Sequence, residues 1–368
     1  MAKSLENLAL FETHNFPIRH HGNVHNGKVR SVYWLSLKDS ARIIRERGYK
    51  VPKVTPLGIM ITSDRVSAFD VVWQAKQGLR AVPGKGADLN IISKYWFDKF
   101  DNEGLAGNHI LDIPHPLVWI VQKAEPVLVE GIARQYISGS MWRAYEKGIR
   151  EFCGNILPDG LKKNQRLPEL LLTPTTKGNL GHISGMPKGD DAKLTRQQIL
   201  DHFKELGFKS VEDVFEFERL LREGYAVIER DLADIKQNLA DDKKECGYVI
   251  DFVSGNPKMI YIDEVGTPDS SRFWDADAYS QGRIVENSKE PFRQFLLAQF
   301  DKDILLNDDR MPERRELART YRVPVEEFMK ISAIYKGIAE KITRQEVPKI
   351  ENPREEILES LFNYGLVA

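Results

Sequence analysis

Asp241-Asp242-Lys243-Lys244-Glu245-Cys246-Gly247-Tyr248 runs into apolar Val249-Ile250, a Ser254-Gly255-Asn256-Pro257 turn, and Lys258-Met259-Ile260-Tyr261-Ile262-Asp263-Glu264. Two strand-like runs around turn residues read as a hairpin with an acidic open end. Side chains alternate faces along a strand, so Glu245 and Asp263 can project from one face there. Two carboxylates held together are costly unless a cation neutralises them. Mg²⁺, bound through one or two carboxylates plus substrate phosphates, meets that demand. Gly266-Thr267-Pro268-Asp269-Ser270-Ser271-Arg272 follows directly and brings hydroxyls, a carboxylate and an arginine to the same end. A structural salt bridge explains any one of these; the whole set, beside a candidate metal site, is harder to dismiss.

Outward from the hairpin the elements are segregated. Val29–Leu35, Leu57–Thr62 and the 110–137 stretch read as strands, while Ser40–Arg45 and 86–104 read as helices. Residues 154–192 read as a long loop, 194–240 as mostly helical, and 290–366 as helical again. Runs of strands and of helices, rather than alternating βαβ units, indicate an α+β fold. Neither a Rossmann glycine fingerprint nor a Walker loop is present, so a bound nucleotide needs another architecture. A chain of 368 residues suggests two or three packed units. The formal net charge of −1 gives no global field toward nucleic acid or membrane, so anion recognition must be local. Cys153 and Cys246 are too few for a disulfide scaffold. The N-terminus lacks signal-peptide features, and no apolar run reaches the ~18 residues that span a bilayer, so a cytoplasmic protein is expected. Four histidines (His14, His20, His21, His25) read as solvated groups on a loose N-terminal arm rather than as metal ligands.

Other constellations carry charge to defined places. Gly27-Lys28-Val29-Arg30 sets Lys28 and Arg30 on one strand face beside a glycine, which suits a polyphosphate clamp or equally a charge-guarded sheet edge. Ser63-Asp64-Arg65-Val66-Ser67-Ala68-Phe69-Asp70 follows a buried strand, where functional loops are common. Gly84-Lys85-Gly86 precedes a helix, as an anion site or a flexible turn does. Glu130 through Trp142 runs a strand into Ser138-Gly139-Ser140 and a helix, with Arg134 close behind; that is a recipe for one phosphate group, or an ordinary serine cap.

These motifs, in this order, resemble the SAICAR synthetase family. The resemblance rests on Gly27–Tyr33, Ser63–Asp70, Arg134–Ser140, Leu172-Thr173-Pro174-Thr175-Thr176-Lys177 and Asp263–Asp275, and runs from about residue 26 to 345. It implies an ATP-grasp-like, two-lobed α+β architecture with antiparallel sheets and C-terminal helices. The units expected are an arm (1–25), a β-rich nucleotide lobe (26–123), a substrate and metal lobe (124–289) and a helical region (290–368). The implied activity joins carboxyaminoimidazole ribotide (CAIR) to L-aspartate in purine biosynthesis, with ATP cleaved to ADP and phosphate through an acyl phosphate. Gly27, Lys28, Arg30 and Lys85 would meet the nucleotide, and Glu245 and Asp263 would hold Mg²⁺. Ser67, Arg134, Ser140, Asp269, Ser271 and Arg272 would bind substrate, with Arg134, Ser140 and Arg272 on the ribotide phosphate. Lys243, Asp70 and Lys177 would act at the reacting atoms. The partners implied are the small-molecule substrates CAIR and L-aspartate, without nucleic acid or membrane; the sequence does not give the oligomeric state, and a homodimer is one option.

Three departures qualify the match. Lys244 and Cys246 stand where the family's Asp-x-Lys-Phe-Glu-Phe-Gly stretch has aromatics, which predicts weaker packing behind Glu245. Gly181-His182-Ile183-Ser184 replaces a His-Asp pair, which puts part of the substrate site in question, and Tyr136 replaces a second arginine. A related ATP-dependent carboxylate–amine ligase using a different amine or acid and a nucleotide-binding protein without catalysis are the alternatives. The segments 1–25, 36–56 and 187–225 are embellishments with no assigned chemistry, and Trp73 and Trp119 are core or interface residues.

Overall fold

Side chains alternate faces along each strand, which divides the sheets into surfaces that pack and surfaces that face a cleft. The computed structural model describes residues 8–367. In chain order the first part holds β1 (His25–Asn26), β2 (Arg30–Trp34), α1 (Leu37–Arg47), β3 (Leu57–Thr62), the hairpin of β4 (Val66–Ala68) and β5 (Val71–Trp73), α2 (Lys85–Asn102), β6 (Ile110–His115) and β7 (Val118–Gln122). Five of these strands form an antiparallel sheet in the order β1-β2-β3-β7-β6. Cross-strand partners share a face. Arg30 opposes Thr62, Val32 opposes Met60, and Met60 opposes Trp119; on this face Arg30, Val32 and Met60 line the cleft, while Thr62 and Trp119 are fully buried. Tyr33, Ile59, Ile61, Val118 and Ile120 occupy the other face and are buried. They share one core with Leu10, Phe16 and Ile18 of the N-terminal segment and with Ile357 and Leu361 near the C-terminus.

The N-terminal segment is therefore packed rather than loose, over its described residues. Its histidines are exposed, but Leu10 N–H donates to Asp64 at 2.7 Å and Arg19 N–H to the Leu366 carbonyl at 2.8 Å. Trp73 and Trp119 are both fully buried, which settles them as core residues.

The second part holds β8 (Glu125–Tyr136), α3 (Gly139–Glu146), the short pair β9 (Glu151–Phe152) and β10 (Asn155–Ile156), β11 (Arg166–Leu172), β12 (Thr175–Thr176), α4 (Arg196–Asp201), α5 (Val211–Asp234), β13 (Gln237–Ile250), β14 (Pro257–Ile262) and β15 (Ser271–Asp275). These build a six-stranded sheet in the order β11-β8-β13-β14, with β12 also on β8 and β15 also on β13. The stretch expected to be loop thus contains a strand, Arg166–Leu172. A bulge between Arg166 and Leu171 breaks its alternation, which hides the period-two signal. The hairpin's first strand likewise begins at Gln237, inside the stretch read as helical. Helices close the chain: α6 (Ala276–Ser280), α7 (Glu290–Gln299), α8 (Lys302–Leu306), α9 (Met311–Thr320), α10 (Val325–Thr343) and α11 (Pro353–Phe362).

On β13, alternation separates chemistry from packing. Asp241, Lys243 and Glu245 face the cleft with Arg134, Ile132 and Glu130 of β8 opposite them. Asp242, Lys244 and Cys246 face back toward α5 and α2, and all three are fully buried. Lys244 does not leave the packing behind Glu245 weak, because its ammonium pairs with the Asp242 carboxylate and lies 5.9 Å from the centre of the Phe100 ring. Asp242 also accepts from Ser271 Oγ at 2.7 Å, which ties β13 to β15.

Gly247 marks a close approach between strands. It sits just past a register shift, opposite Pro126. A Cβ there would lie 2.8 Å from the Glu125 carbonyl oxygen and 3.1 Å from Pro126 Cα, both main-chain atoms. Backbone cannot step aside as a side chain can, so Gly247→Ala is expected to lower unfolding free energy by about 1–3 kcal/mol. Urea denaturation of the full chain measures this, and an unchanged midpoint would show that the two strands separate freely.

Candidate active site

One large cleft of about 1020 Å³ lies between the two sheets. Of the fifteen residues singled out from the sequence, fourteen line it; Lys85 alone does not. The Lys85 side chain is fully buried, and its ammonium donates to Asp269 Oδ2 at 2.7 Å. Lys85 therefore lies beneath the cleft surface, braced by a carboxylate, rather than open to a nucleotide phosphate as expected.

At one end two guanidinium groups are held side by side by a shared carboxylate. Arg134 donates to Asp241 Oδ2 at 2.6 Å and to Thr173 Oγ1 at 2.9 Å, and Arg272 donates to the same Asp241 oxygen. The N-terminus of α3 opens beside them. Ser138, not Ser140, is its N-cap, and the buried Ser138 hydroxyl has no hydrogen-bond partner in the protein. The first residue of α3, Gly139, has φ +55°, and a Cβ there would come within 2.6 Å of Arg272. Only glycine combines that conformation with that proximity. Ser140 of α3 lines the cleft at this point. Free helix N–H groups, a hydroxyl and two guanidiniums suit a phosphate-sized dianion. Arg143, one turn along α3, lines the cleft with no hydrogen bond or ion pair among the described residues, and the sequence reading missed it.

At the other end ammoniums and carboxylates interleave. Lys243 donates to Glu245 Oε1 at 2.8 Å and to Glu130 Oε1 at 2.6 Å, while Lys177 donates to Glu245 Oε2. Burial works against the Lys243 ammonium, but Glu245 and Glu130 raise its pKa well above the ordinary value. Burial likewise opposes the Glu245 carboxylate, yet Lys243 and Lys177 hold it below the usual range. Glu130 goes the other way: burial raises it, with Lys243 opposing and Glu245 adding to the rise. The two carboxylates sharing one lysine are thus pushed apart. Glu130 was not singled out from the sequence. Its place opposite Glu245 follows only from the β8–β13 register.

Arg30 donates to Asp263 at 2.9 Å and to Glu264 at 2.8 Å, and Asp263 takes a left-handed backbone with φ 60°. The cost of gathering acidic groups is therefore offset by Lys177, Lys243 and Arg30 of the protein itself. Lys28 pairs with Asp70, both of them exposed, from the loop before β2 rather than from the strand. Ser67, on β4, and Gly27 complete this lip. Along the same face of the first sheet as Arg30, Val32, Trp34, Met60 and Val121 give the cleft an apolar strip. His182, the histidine of the stretch that departs from the family's His-Asp pair, is exposed. From the same connection between β12 and α4, Lys177, Asp191 and Lys193 line the cleft.

The SAICAR synthetase family model matches residues 23–304. The chain belongs to the SAICAR synthetase family. Among the relatives, the phosphoribosylaminoimidazole-succinocarboxamide synthase of Vibrio parahaemolyticus is 58% identical over 366 residues, covering 99% of this chain and all of the relative. That of Shewanella amazonensis is 57% identical over the same length, again covering 99% of this chain and 100% of the relative. Of solved structures, SAICAR synthase from Saccharomyces cerevisiae, complexed with SAICAR, superposes with a TM-score of 0.63 at 23% identity, over 90% of this chain and 96% of that one. A SAICAR synthetase in complex with ADP gives 0.56 at 20% identity, over 89% and 100%. The α+β fold is that of the SAICAR synthetases, and the chain is a carbon–nitrogen ligase of purine biosynthesis.

His109 also lines the cleft, buried edge-on between Phe97 and Trp119 with neither ring nitrogen bonded within the protein. Burial pushes its pKa down to about 4, with Asp263 acting against that and Arg30 with it. An unfolded histidine takes a proton below about 6.5, whereas the folded one refuses it until about 4. The unfolded state binds more protons in that window, so stability falls as pH drops through it. His109→Asn is expected to remove this component. The loss of urea midpoint between pH 7 and pH 5 should be smaller in the variant than in the parent, and an equal loss would mean that His109 titrates alike in both states.

Proposed function

We propose that the chain condenses the carboxylate of CAIR with the amine of L-aspartate, giving SAICAR while ATP becomes ADP and phosphate. The observation that carries this reading is the polarity of a single cleft, with paired arginines and an open helix N-terminus at one end and lysines interleaved with carboxylates at the other. Arg134, Arg272 and Ser140 take the ribotide phosphate; Ser67 and Asp269 stand at the cleft wall for substrate, and Ser271 supports them from β15 with its hydroxyl on Asp242. Lys28, Arg30 and Gly27 take the ATP phosphates, and the apolar strip of Val32, Trp34, Met60 and Val121 takes the base.

The residues present fit Mg²⁺. Among the described residues no group of three or more His, Cys, Asp or Glu is placed to cage a metal. Mg²⁺ rarely uses such a cage; one or two carboxylates plus substrate phosphates are its usual set, and Glu245 and Asp263 both face the cleft. When bound it would neutralise phosphate charge.

A carboxylate is a poor acyl donor, so its activation must precede amide formation. Attack of a CAIR carboxylate oxygen on the γ-phosphorus breaks the bond to ADP and leaves an acyl phosphate. Attack of the aspartate nitrogen on the acyl carbon then expels phosphate, and the nitrogen sheds its proton. Lys243 and Lys177, kept charged by Glu245, stabilise the negative charge on the transferring group. Asp70 holds Lys28 at the phosphates. No enzyme nucleophile is required, and holding three substrates in line supplies much of the acceleration.

ADP release followed by a coupled assay should require CAIR and L-aspartate together. Glu245→Gln and Asp263→Asn should each lower kcat/KM by about 100-fold or more, as loss of a transition-state charge partner does. Turnover with another amine but none with aspartate would overturn the substrate assignment, and robust turnover in either variant would overturn the metal assignment.

A further inference from the structure

The C-terminal helices lie largely beyond the stretch matched by the family model, which ends at residue 304. They nevertheless reach both lips of the cleft. On one lip Arg314 of α9, only 1% exposed, donates to the Phe69 carbonyl at 3.2 Å and to the Ile304 and Asn307 carbonyls at 3.0 and 2.9 Å. Phe69 and Asp70 form a left-handed turn whose side chains line the cleft beside Lys28.

On the other lip the contact is with a carboxylate. Tyr335 of α10 is fully buried, and its hydroxyl donates to Asp269 Oδ1. Lys85 occupies Oδ2 of the same carboxylate, and the Lys289 ammonium stands 3.6 Å from Oδ1. The Lys85 ammonium also lies 5.6 Å from the centre of the Tyr335 ring, so one side chain braces both members of the ion pair. Asp269 and Lys289 line the cleft, whereas Lys85 and Tyr335 stand behind them. Burial raises the Tyr335 hydroxyl well above its ordinary pKa, and the Asp269 charge raises it further, so it stays a donor. Burial would raise the Asp269 carboxyl, but Lys289 and Lys85 hold it below the usual range.

We propose that Tyr335 is a positioning residue of the cleft, fixing Asp269 and through it the Lys289 ammonium that faces an anionic substrate group. A carboxylate bonded only by flexible lysines has freedom to rotate. A phenol on a packed helix has only two side-chain torsions and removes that freedom. Asp269 begins the Asp269-Ser270-Ser271-Arg272 run, so its orientation passes directly to the residues that grip the ribotide. The choice of substrate assay rests on the ligase reading above; the positioning itself does not.

Tyr335→Phe deletes one oxygen and keeps the ring. Steady-state kinetics on the full chain should show KM for CAIR raised about tenfold, the scale of a hydrogen bond to a charged group, with KM for ATP within twofold. Introduced into Asp269→Asn, the same change should add less than twofold, because its effect runs through Asp269. A full tenfold effect in that background, or a change confined to ATP, overturns the proposal. Amide hydrogen exchange without substrate gives an independent reading. Peptides covering 266–272 should exchange faster in Tyr335→Phe while those of β3 stay unchanged, and unchanged exchange at 266–272 overturns the positioning. Absence of turnover in the parent chain would defeat the ligase reading, yet leave the exchange measurement to decide this one.

Discussion

The pairing of β8 with β13 is the constraint on which the rest of the molecule depends. Its register sets Arg134 across from Asp241, Ile132 across from Lys243, and Glu130 across from Glu245. A slip of one residue would turn every side chain to the opposite face. Asp241, Lys243 and Glu245 would then be driven into the core against α5, and Asp242, Lys244 and Cys246 would enter the cleft. Polarity alone does not forbid this, since both faces of β13 carry charge. What fixes the register is closure of the buried face. Asp242 is bonded by Lys244, by Ser271 and by the Gly266 N–H at 3.3 Å, and Gly247 admits the neighbouring backbone where a side chain could not fit.

The cleft that this register helps to build carries charges that, with Arg143 as an exception, are for the most part already matched among the described residues. Glu245 has Lys177 and Lys243, Arg30 has Asp263 and Glu264, Arg134 and Arg272 share Asp241, and Lys28 has Asp70. A bare buried charge costs several kcal/mol, so an acidic and basic cleft of this depth is tolerable only when paired. Binding of anionic substrates then exchanges partners instead of desolvating lone ions. The pairing also orients the donors in advance, which is what favours transition-state charge over ground-state charge.

Much of this was legible in the residues, and what escaped has physical causes. The hairpin, the segregated α+β pattern and the clustering of Asp269, Ser271 and Arg272 beside it follow from alternation and turn chemistry. Fourteen cleft residues were named from motifs, some at a strand end or helix start, as Asp263 and Ser140 are, and others, Lys243 and Glu245, from charges alternating in the middle of a strand. Lys85 was misplaced because a lysine between glycines looks exposed, and its buried partner Asp269 lies 184 residues away. Glu130 and His109 were missed because their roles depend on register and on the packing of distant aromatics. Asp242 and Lys244 are the instructive case. Two positions apart on a strand, they share a face, and their opposite charges already implied the pair that compensates for the missing aromatic.

The same reasoning bears on the C-terminal helices. A buried ion pair such as Lys85–Asp269 contributes little net stability, since desolvation offsets most of its attraction. Placing α10 against it therefore gains the fold little that hydrophobic contact would not supply more cheaply, and α10 already packs Phe328, Ile331 and Ile338 into the core. A fully buried phenol aimed at that carboxylate is better understood through what the carboxylate faces. Asp269 stands at the cleft wall with Lys289, next to the arginine that shares Asp241 with Arg134. Rigidity at this point transfers to the groups that hold an anion, and the energetic return appears on binding rather than on folding.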